Sequence, residues 1–247
     1  MSACGRNLFS GMITEAIILA GGLGMRLRAA VPDLPKCMAP VAGKPFLHYL
    51  IKYFEKQGIT RFVFSLGYKH EMIQQFLRRE FENASSQYVS SIEDEPLGTG
   101  GAILKAASMA VSHDVLVLNG DTFFAVNVAQ VSALYTEKQA DCILSLKPMN
   151  DMERYGVVDI DADEKIISFR EKQFYPEGQI NGGVYALNLS SFSKEKLPIK
   201  FSFEKDYLEA FYRNRNFYGS VQDAYFIDIG IPGDFQQANT DFKNFSI

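Results

Sequence analysis

Thr14-Glu-Ala-Ile-Ile-Leu-Ala-Gly-Gly-Leu-Gly-Met-Arg-Leu27 decides the fold. Its apolar run stops at Gly21-Gly22, as a buried strand does. The pattern returns twice. Arg61-Phe-Val-Phe-Ser-Leu66 ends at Gly67, and Asp114-Val-Leu-Val-Leu118 runs into Asn119-Gly120-Asp121. Between these runs the periodicity changes. Pro45 opens a stretch that sets Phe46, Leu47, Leu50, Ile51 and Phe54 on one helical face and closes at Gly58. Residues 71–81 repeat it through Met72, Ile73, Phe76 and Leu77, and residues 99–111 and 127–138 also read as helices. Strands alternating with amphipathic helices predict an α/β chain. The sheet is expected to be doubly wound, mostly parallel and Rossmann-like, with helices on both faces.

After about residue 140 the pattern is richer in strands. Residues 142–146, 156–160, 166–169 and 184–187 read as strands, with a hairpin turn at Asp161-Ala-Asp163. Residues 203–212 read as a helix, 226–229 as a last strand, and Pro232 opens a last helix. No Pro/Gly/Ser-rich linker divides the chain. One domain is expected over residues 13–247, after a loose leader over 1–12.

Composition narrows the classes. The 247 residues carry 25 Lys and Arg against 29 Asp and Glu, a formal net charge of −4, which argues against a nucleic-acid partner. No apolar run approaches the ~20 residues of a membrane span. No signal peptide is apparent. Cys4, Cys37 and Cys142 are too few for a disulfide framework or zinc site, so the chain reads as cytoplasmic.

Four constellations can carry chemistry. Glycines 21, 22 and 24 would let backbone N–H groups approach a phosphate at a strand's carboxyl end, and Arg26 could clamp its oxygens. A glycine-rich turn with a solvated arginine is the competing reading. The dinucleotide fingerprint fails because Leu27 stands where glycine is needed, and Lys44-Pro45 is no P-loop. Lys36 follows Pro35 in a proline-stiffened loop, or is an ordinary surface lysine. Glu93-Asp94-Glu95 precedes Pro96-Leu97-Gly98-Thr99, where Thr99 suits a helix N-cap. Asp121 ends an apolar strand, where a carboxylate suits Mg²⁺, and Asp228 sits between Ile227 and Ile229, costly unless paired or metal-bound. Asp159-Ile-Asp161-Ala-Asp163 is no EF-hand loop, since Glu164 and Arg170 replace the required Gly and Glu. His48, His70 and His113 are dispersed, and Cys37 has no partner that suggests a nucleophile.

Taken in order, these pieces resemble the sugar-1-phosphate nucleotidyltransferase family. The matching series runs from Gly21-Gly-Leu-Gly-Met-Arg-Leu27 through Pro35-Lys36, Pro96-Leu-Gly-Thr99, Gly120-Asp121, Glu171-Lys172 and Asn181-Gly-Gly183 to Asp228-Ile-Gly230. Within the family, residues 147–156, 180–185 and 225–232 most resemble the D-glycero-α-D-manno-heptose 1-phosphate guanylyltransferases. Met25 departs from the Thr or Ser of many relatives. The resemblance implies in-line attack of a sugar 1-phosphate oxygen on the α-phosphorus of a nucleoside triphosphate. Pyrophosphate leaves, and positioning plus charge neutralisation do the catalysis.

It also implies roles. Arg26, Lys36, Asp121 and Lys172 are the expected catalytic residues. Leu19, Gly21, Gly22, Gly24, Arg26, Lys36, Glu95, Gly98 and Thr99 would hold the nucleotide, within a nucleotide-binding portion over about 13–140. Gly120, Glu171, Lys172, Asn181 and Gly182 would hold the sugar phosphate, within a portion over about 141–235. Asp121 and Asp228 would hold Mg²⁺, the expected cofactor. Glu95 is the expected reader of guanine, because a carboxylate accepts from N1–H and N2–H together; Glu93 or Asp94 could do this instead, and three solvated loop charges are the competing reading. The expected partners are small molecules, with neither nucleic acid nor membrane, and a homo-oligomer is compatible. Mannose-1-phosphate guanylyltransferase, a uridylyl or thymidylyl transferase and a non-catalytic sugar-nucleotide sensor remain open. A glycosyltransferase would need an Asp-x-Asp that Gly120-Asp121-Thr122-Phe123 does not offer.

Overall fold

The computed structural model describes residues 11–22 and 33–245. In chain order its strands are β1 Glu15–Leu19, β2 Pro40–Val41, β3 Lys44–Pro45, β4 Arg61–Leu66, β5 Gln87–Ile92, β6 Asp114–Asn119, β7 Thr122–Phe124, β8 Cys142–Met152, β9 Val157–Ile160, β10 Ile166–Arg170, β11 Tyr175–Asn188, β12 Phe217–Val221 and β13 Phe226–Asp228. The α-helices are α1 Phe46–Lys56, α2 His70–Glu80, α3 Gly98–Ala107, α4 Val128–Lys138, α5 Leu189–Phe192, α6 Glu209–Phe211 and α7 Pro232–Asp241. A 3₁₀ turn covers Lys36–Met38, and a π-helical turn covers Phe203–Leu208.

Nine strands form one sheet in the order β10-β9-β11-β6-β1-β4-β5, with β8 on β11 and β12 on β8. The segment β6-β1-β4-β5 is all parallel, and β11 joins β6 antiparallel. The two-residue alternation of the strands explains why helices cover both faces. Ile17, Val63, Val115 and Val117 turn to one core with Ile103 and Ala106 of α3. Ala16, Ile18, Phe62, Phe64, Leu116 and Leu118 turn to the other, with the buried faces of α1, α2 and α4. Both sets are fully or almost fully buried. Strands buried on both faces read as unbroken apolar runs, which is why these three stand out in the sequence.

Several elements differ from the reading of the sequence. β5 and β12 carry no clear signal there, and β8 and β11 run far beyond 142–146 and 184–187. Asp228 lies at the end of β13, outside the main sheet, in a two-stranded antiparallel ribbon with β7. Thr99 is not an N-cap: α3 begins at Gly98 after Leu97. The expected helix over 203–212 is wound as a π-helical turn and then a short α-helical one. Ile13 is buried and its N–H donates to Ser132 Oγ at 3.1 Å.

Candidate active site

A cavity of about 930 Å³ opens along the carboxyl ends of β1 and β6 and the inner side of β9, β10 and β11. Lys36, Asp121 and Asp228 line one part of it; Glu171, Lys172, Asn181 and Gly182 line another, and Gly22 and Tyr155 also reach it. Residues about 150 positions apart therefore share one crevice, where open α/β sheets bind ligands.

The Lys36 ammonium ion-pairs with Asp121 and lies 3.4 Å from Asp228 Oδ1. Each partner reaches this point for a local reason. Lys36 comes from the 3₁₀ turn that Pro35 starts, closed by Met38 N–H donating to Pro35 O at 2.8 Å. Asp121 follows β6 where Gly120 N–H donates to Leu19 O at 3.0 Å. Gly120 is obligatory there, because a Cβ would meet the backbone of Leu19 and Ala20. Asp228 Oδ1 accepts from Gly230 N–H at 2.8 Å, which fixes its rotamer. A Cβ on Gly230 would collide with the Lys36 ammonium and lie 2.8 Å from Asp228 Oδ1. The glycine therefore makes room for the cation between the carboxylates.

Two carboxylates that converge on one ammonium can also converge on one divalent cation. Mg²⁺ is commonly held by one or two carboxylates with water and substrate phosphates filling the remaining positions. The donor set fits that ion, although among the described residues no three His, Cys, Asp or Glu side chains cluster as a closed metal site. Burial and nearby Asp121 push the Cys37 thiol up to about 12, so Cys37 is a core residue and no nucleophile. Burial together with Asp228 and Asp234 pushes Tyr155 up to about 12, so its hydroxyl stays protonated beside the carboxylates.

On the opposite wall, Asn181 is held twice. Its Nδ2 donates to Tyr185 OH at 2.9 Å, and its Oδ1 accepts from Gly183 N–H at 3.1 Å. The pairing of β11 with β8 shifts register between Asn181 and Tyr185, a bulge that re-aims the strand beside the cavity. Gly183 takes φ +71°, and a Cβ on Gly182 would strike the Phe124 ring. Glu171 and Lys172 follow β10 and are exposed, on a loop that Tyr175 closes by donating its hydroxyl to Glu171 O at 3.1 Å.

The nucleotide residues are placed less uniformly. Leu19 ends β1, Gly21 follows it, and Gly22 lines the cavity. Gly24 and Arg26 lie outside the described residues. Glu93 braces the start of the glycine loop: its Oε1 accepts from Ser65 Oγ at 3.1 Å and its Oε2 from Leu97 N–H at 3.0 Å, and a Cβ on Gly21 would sit 2.8 Å from Oε1. Asp94 pairs with Lys105 at 3.2 Å. Glu95 is exposed beside them, outside the cavity lining.

Gly98 and Thr99 have a different setting from the one expected. Gly98 takes φ +73°, and it and Gly100 admit the backbone and ring of Phe201 against α3. The Thr99 hydroxyl accepts from Phe203 N–H at 2.8 Å and donates to Glu204 Oε2 at 2.7 Å. It thus joins α3 to the π-helical turn. Glu204 and Lys205 of that turn, with Ser202 before it and Glu209 after it, also line the cavity. None has a motif that marks it in the sequence.

The nucleotidyl transferase family model matches residues 15–244, nearly the whole described chain. The chain belongs to the nucleotidyl transferase family. This nucleotidyl transferase is 49% identical over 231 residues to the D-glycero-alpha-D-manno-heptose 1-phosphate guanylyltransferase of Aneurinibacillus thermoaerophilus, covering 94% of this chain and 99% of that one. It is 31% identical to the mannose-1-phosphate guanylyltransferase of Mycobacterium tuberculosis, covering 92% of this chain and 64% of that one. Among solved structures it superposes on HddC from Yersinia pseudotuberculosis with a TM-score of 0.84 at 39% identity, over 94% of this chain and all of that one. The same protein has been solved in complex with GMP-PN, and that structure superposes with a TM-score of 0.81 at 38% identity. The α/β fold with a mixed, largely parallel central sheet is the one these relatives share. Among the described residues no helix is long and apolar enough to cross a membrane.

Proposed function

We propose that this nucleotidyl transferase moves GMP from GTP to D-glycero-α-D-manno-heptose 1-phosphate, giving GDP-heptose and pyrophosphate. The observation that carries the chemistry is the convergence of Asp121 and Asp228 on one cation position in a cavity large enough for both substrates. The guanylyl and heptose parts rest on the 49% identity to a heptose guanylyltransferase over 94% of this chain, and on the GMP-PN complex of a similar protein.

Each residue's task follows from its charge and place. Asp121 and Asp228 would hold Mg²⁺. When bound, the ion supplies charge neutralisation to the phosphate oxygens of both substrates. Lys36 neutralises the charge that gathers on the α-phosphate during attack. Gly21, Gly22 and Gly24 present backbone N–H groups to the triphosphate, and Arg26 holds the departing phosphates. Lys172 binds the phosphate of the acceptor. Asn181, locked by Tyr185 and Gly183, presents a fixed amide edge to a sugar hydroxyl. Base readout falls to Glu95: Glu93 is bonded to Ser65 and Leu97, Asp94 to Lys105, and Glu95 alone has no partner among the described residues.

A panel of the four nucleoside triphosphates against heptose, mannose and N-acetylglucosamine 1-phosphates, followed by pyrophosphate release, tests this. The highest kcat/KM is expected for GTP with the heptose phosphate. A preference for UTP, or for mannose 1-phosphate over the heptose, would overturn the assignment, and absence of pyrophosphate with every pair would leave a sensor.

A further inference from the structure

A π-helical turn is rare, and one at a cavity wall invites a functional reason. In an α-helix, at 3.6 residues per turn, residues five apart point about 140° away from each other. Winding with hydrogen bonds from i to i+5 brings residues five apart onto nearly one face. Glu204 and Glu209 are five apart, and both line the cavity. The turn is built firmly. Ser202 Oγ accepts from Lys205 N–H at 3.2 Å, Asp206 Oδ2 accepts from Ser202 N–H at 2.7 Å, and Phe203 stacks on Tyr207 beneath.

Glu204 is oriented from the other half of the chain. Its Oε2 accepts from Thr99 Oγ1 at 2.7 Å and from Ser202 Oγ at 3.0 Å, which leaves Oε1 for the cavity. Thr99 is itself fixed, because its hydroxyl accepts from Phe203 N–H. Two bonds through the Thr99 hydroxyl therefore tie α3 to the π-helical turn. Partial burial, then the charges of Glu171 and Glu204 against the opposing Lys205, raise the Glu209 carboxyl above its ordinary value. A carboxylate with one bound and one open oxygen is a hydrogen-bond acceptor, suited to hydroxyl donors and unsuited to phosphate.

We infer that Glu204 binds a hydroxyl of the acceptor sugar, and that Thr99 is its positioning residue. The inference rests on the proposed function only in taking a sugar 1-phosphate as the acceptor. Glu204 and Glu209 would together widen the set of hydroxyls read beyond those that Glu171 and Asn181 reach.

The test is steady-state kinetics in both substrates, on whichever sugar 1-phosphate the wild type turns over best. Glu204→Gln is expected to raise the KM for the sugar phosphate at least tenfold and leave the KM for GTP within twofold. Thr99→Val should move the same constant in the same direction, and Thr99→Ser, which keeps the hydroxyl, should restore it. Thermal melting and binding of a GTP analogue check that each variant is folded. A variant that melts early is replaced by Glu204→Asp, which keeps the charge but withdraws it by one methylene and should raise the same KM. The inference is overturned if GTP and acceptor constants move together, if only the GTP constant moves, or if Glu204→Gln changes neither. A wild type that prefers another sugar phosphate overturns the heptose assignment instead, and the KM split on that acceptor still decides the roles of Glu204 and Thr99.

Discussion

Replacing Gly230 by alanine perturbs the site through one methyl group. The new Cβ would lie 2.7 Å from Lys36 Cε and 2.8 Å from Asp228 Oδ1, and closer still to the Lys36 ammonium. Carbon atoms rest at about 3.5–4.0 Å, so the overlap is about an ångström and cannot be absorbed by breathing of the packing. The backbone at this position is braced by Gly230 N–H on Asp228, so the flexible end of Lys36 is the part that yields. It then leaves the point between Asp121 and Asp228. A hydrogen bond to a charged group contributes about 1.5–3 kcal/mol. Losing one in the transition state should lower kcat/KM by about 10- to 150-fold. Both carboxylates remain, so the fold and Tm should change little. Pyrophosphate release under saturating GTP, with melting of the same sample, measures both quantities. A variant with kcat/KM within threefold of wild type would show that Lys36 does not work from this position, and the reasoning would fail.

Asp121→Asn and Asp228→Asn should each reduce turnover by about 10³-fold or more, and EDTA should do the same to the wild type; near-normal rates in EDTA would remove the metal from the scheme. Glu95→Gln should lower the GTP-to-UTP ratio of kcat/KM by about 10- to 150-fold, the scale of one charged contact of about 1.5–3 kcal/mol, and an unchanged ratio would take Glu95 out of base readout. The Cys37 thiol ionises near 9 in an unfolded chain and at about 12 in the fold. Between those values the unfolded chain binds fewer protons, so the stability present below pH 9 declines by up to about 1.4 kcal/mol per pH unit above it. Cys37→Ala should flatten that slope in melts from pH 8 to 10.5, and equal slopes would refute the shift.

The parts of the fold legible in the sequence are those buried on both faces. β1, β4 and β6 read plainly because both of their faces are buried and their side chains are mostly apolar. β5, with Ser90 and Ser91, is a sheet edge, and β12 carries Gly219, where a side chain would strike Leu146. Their pairing is decided by partners far along the chain, so local pattern does not mark them. The second half of β8 is polar and contains Pro148, yet it pairs with β11 at Gln179. The site divides in the same way. Asp121 and Asp228 stand out because a carboxylate in or after an apolar run has few other uses, and Lys36 is marked only by its proline-stiffened loop. Gly98 and Thr99 read as a nucleotide loop, but the glycines make room for Phe201 and the threonine reaches Glu204. Glu204 and Glu209 were invisible because their common face exists only in π winding, and α-helical periodicity separates them.

Strand β11 has a consequence for how the protein is made. It lies antiparallel against β6, whose other side is held by β1, so the fourth parallel strand is closed by residues 184–188. Until those residues have left the ribosome, the nascent chain presents the row of unpaired N–H and C=O groups along Val115–Leu118, an apolar strand with no charge to repel a neighbour. Such an edge is a template for pairing with another chain. A fragment ending near residue 140 would keep that edge open permanently and is expected to aggregate. Synthesis must therefore outrun intermolecular pairing for the 65 residues or more that separate Asn119 from Val184.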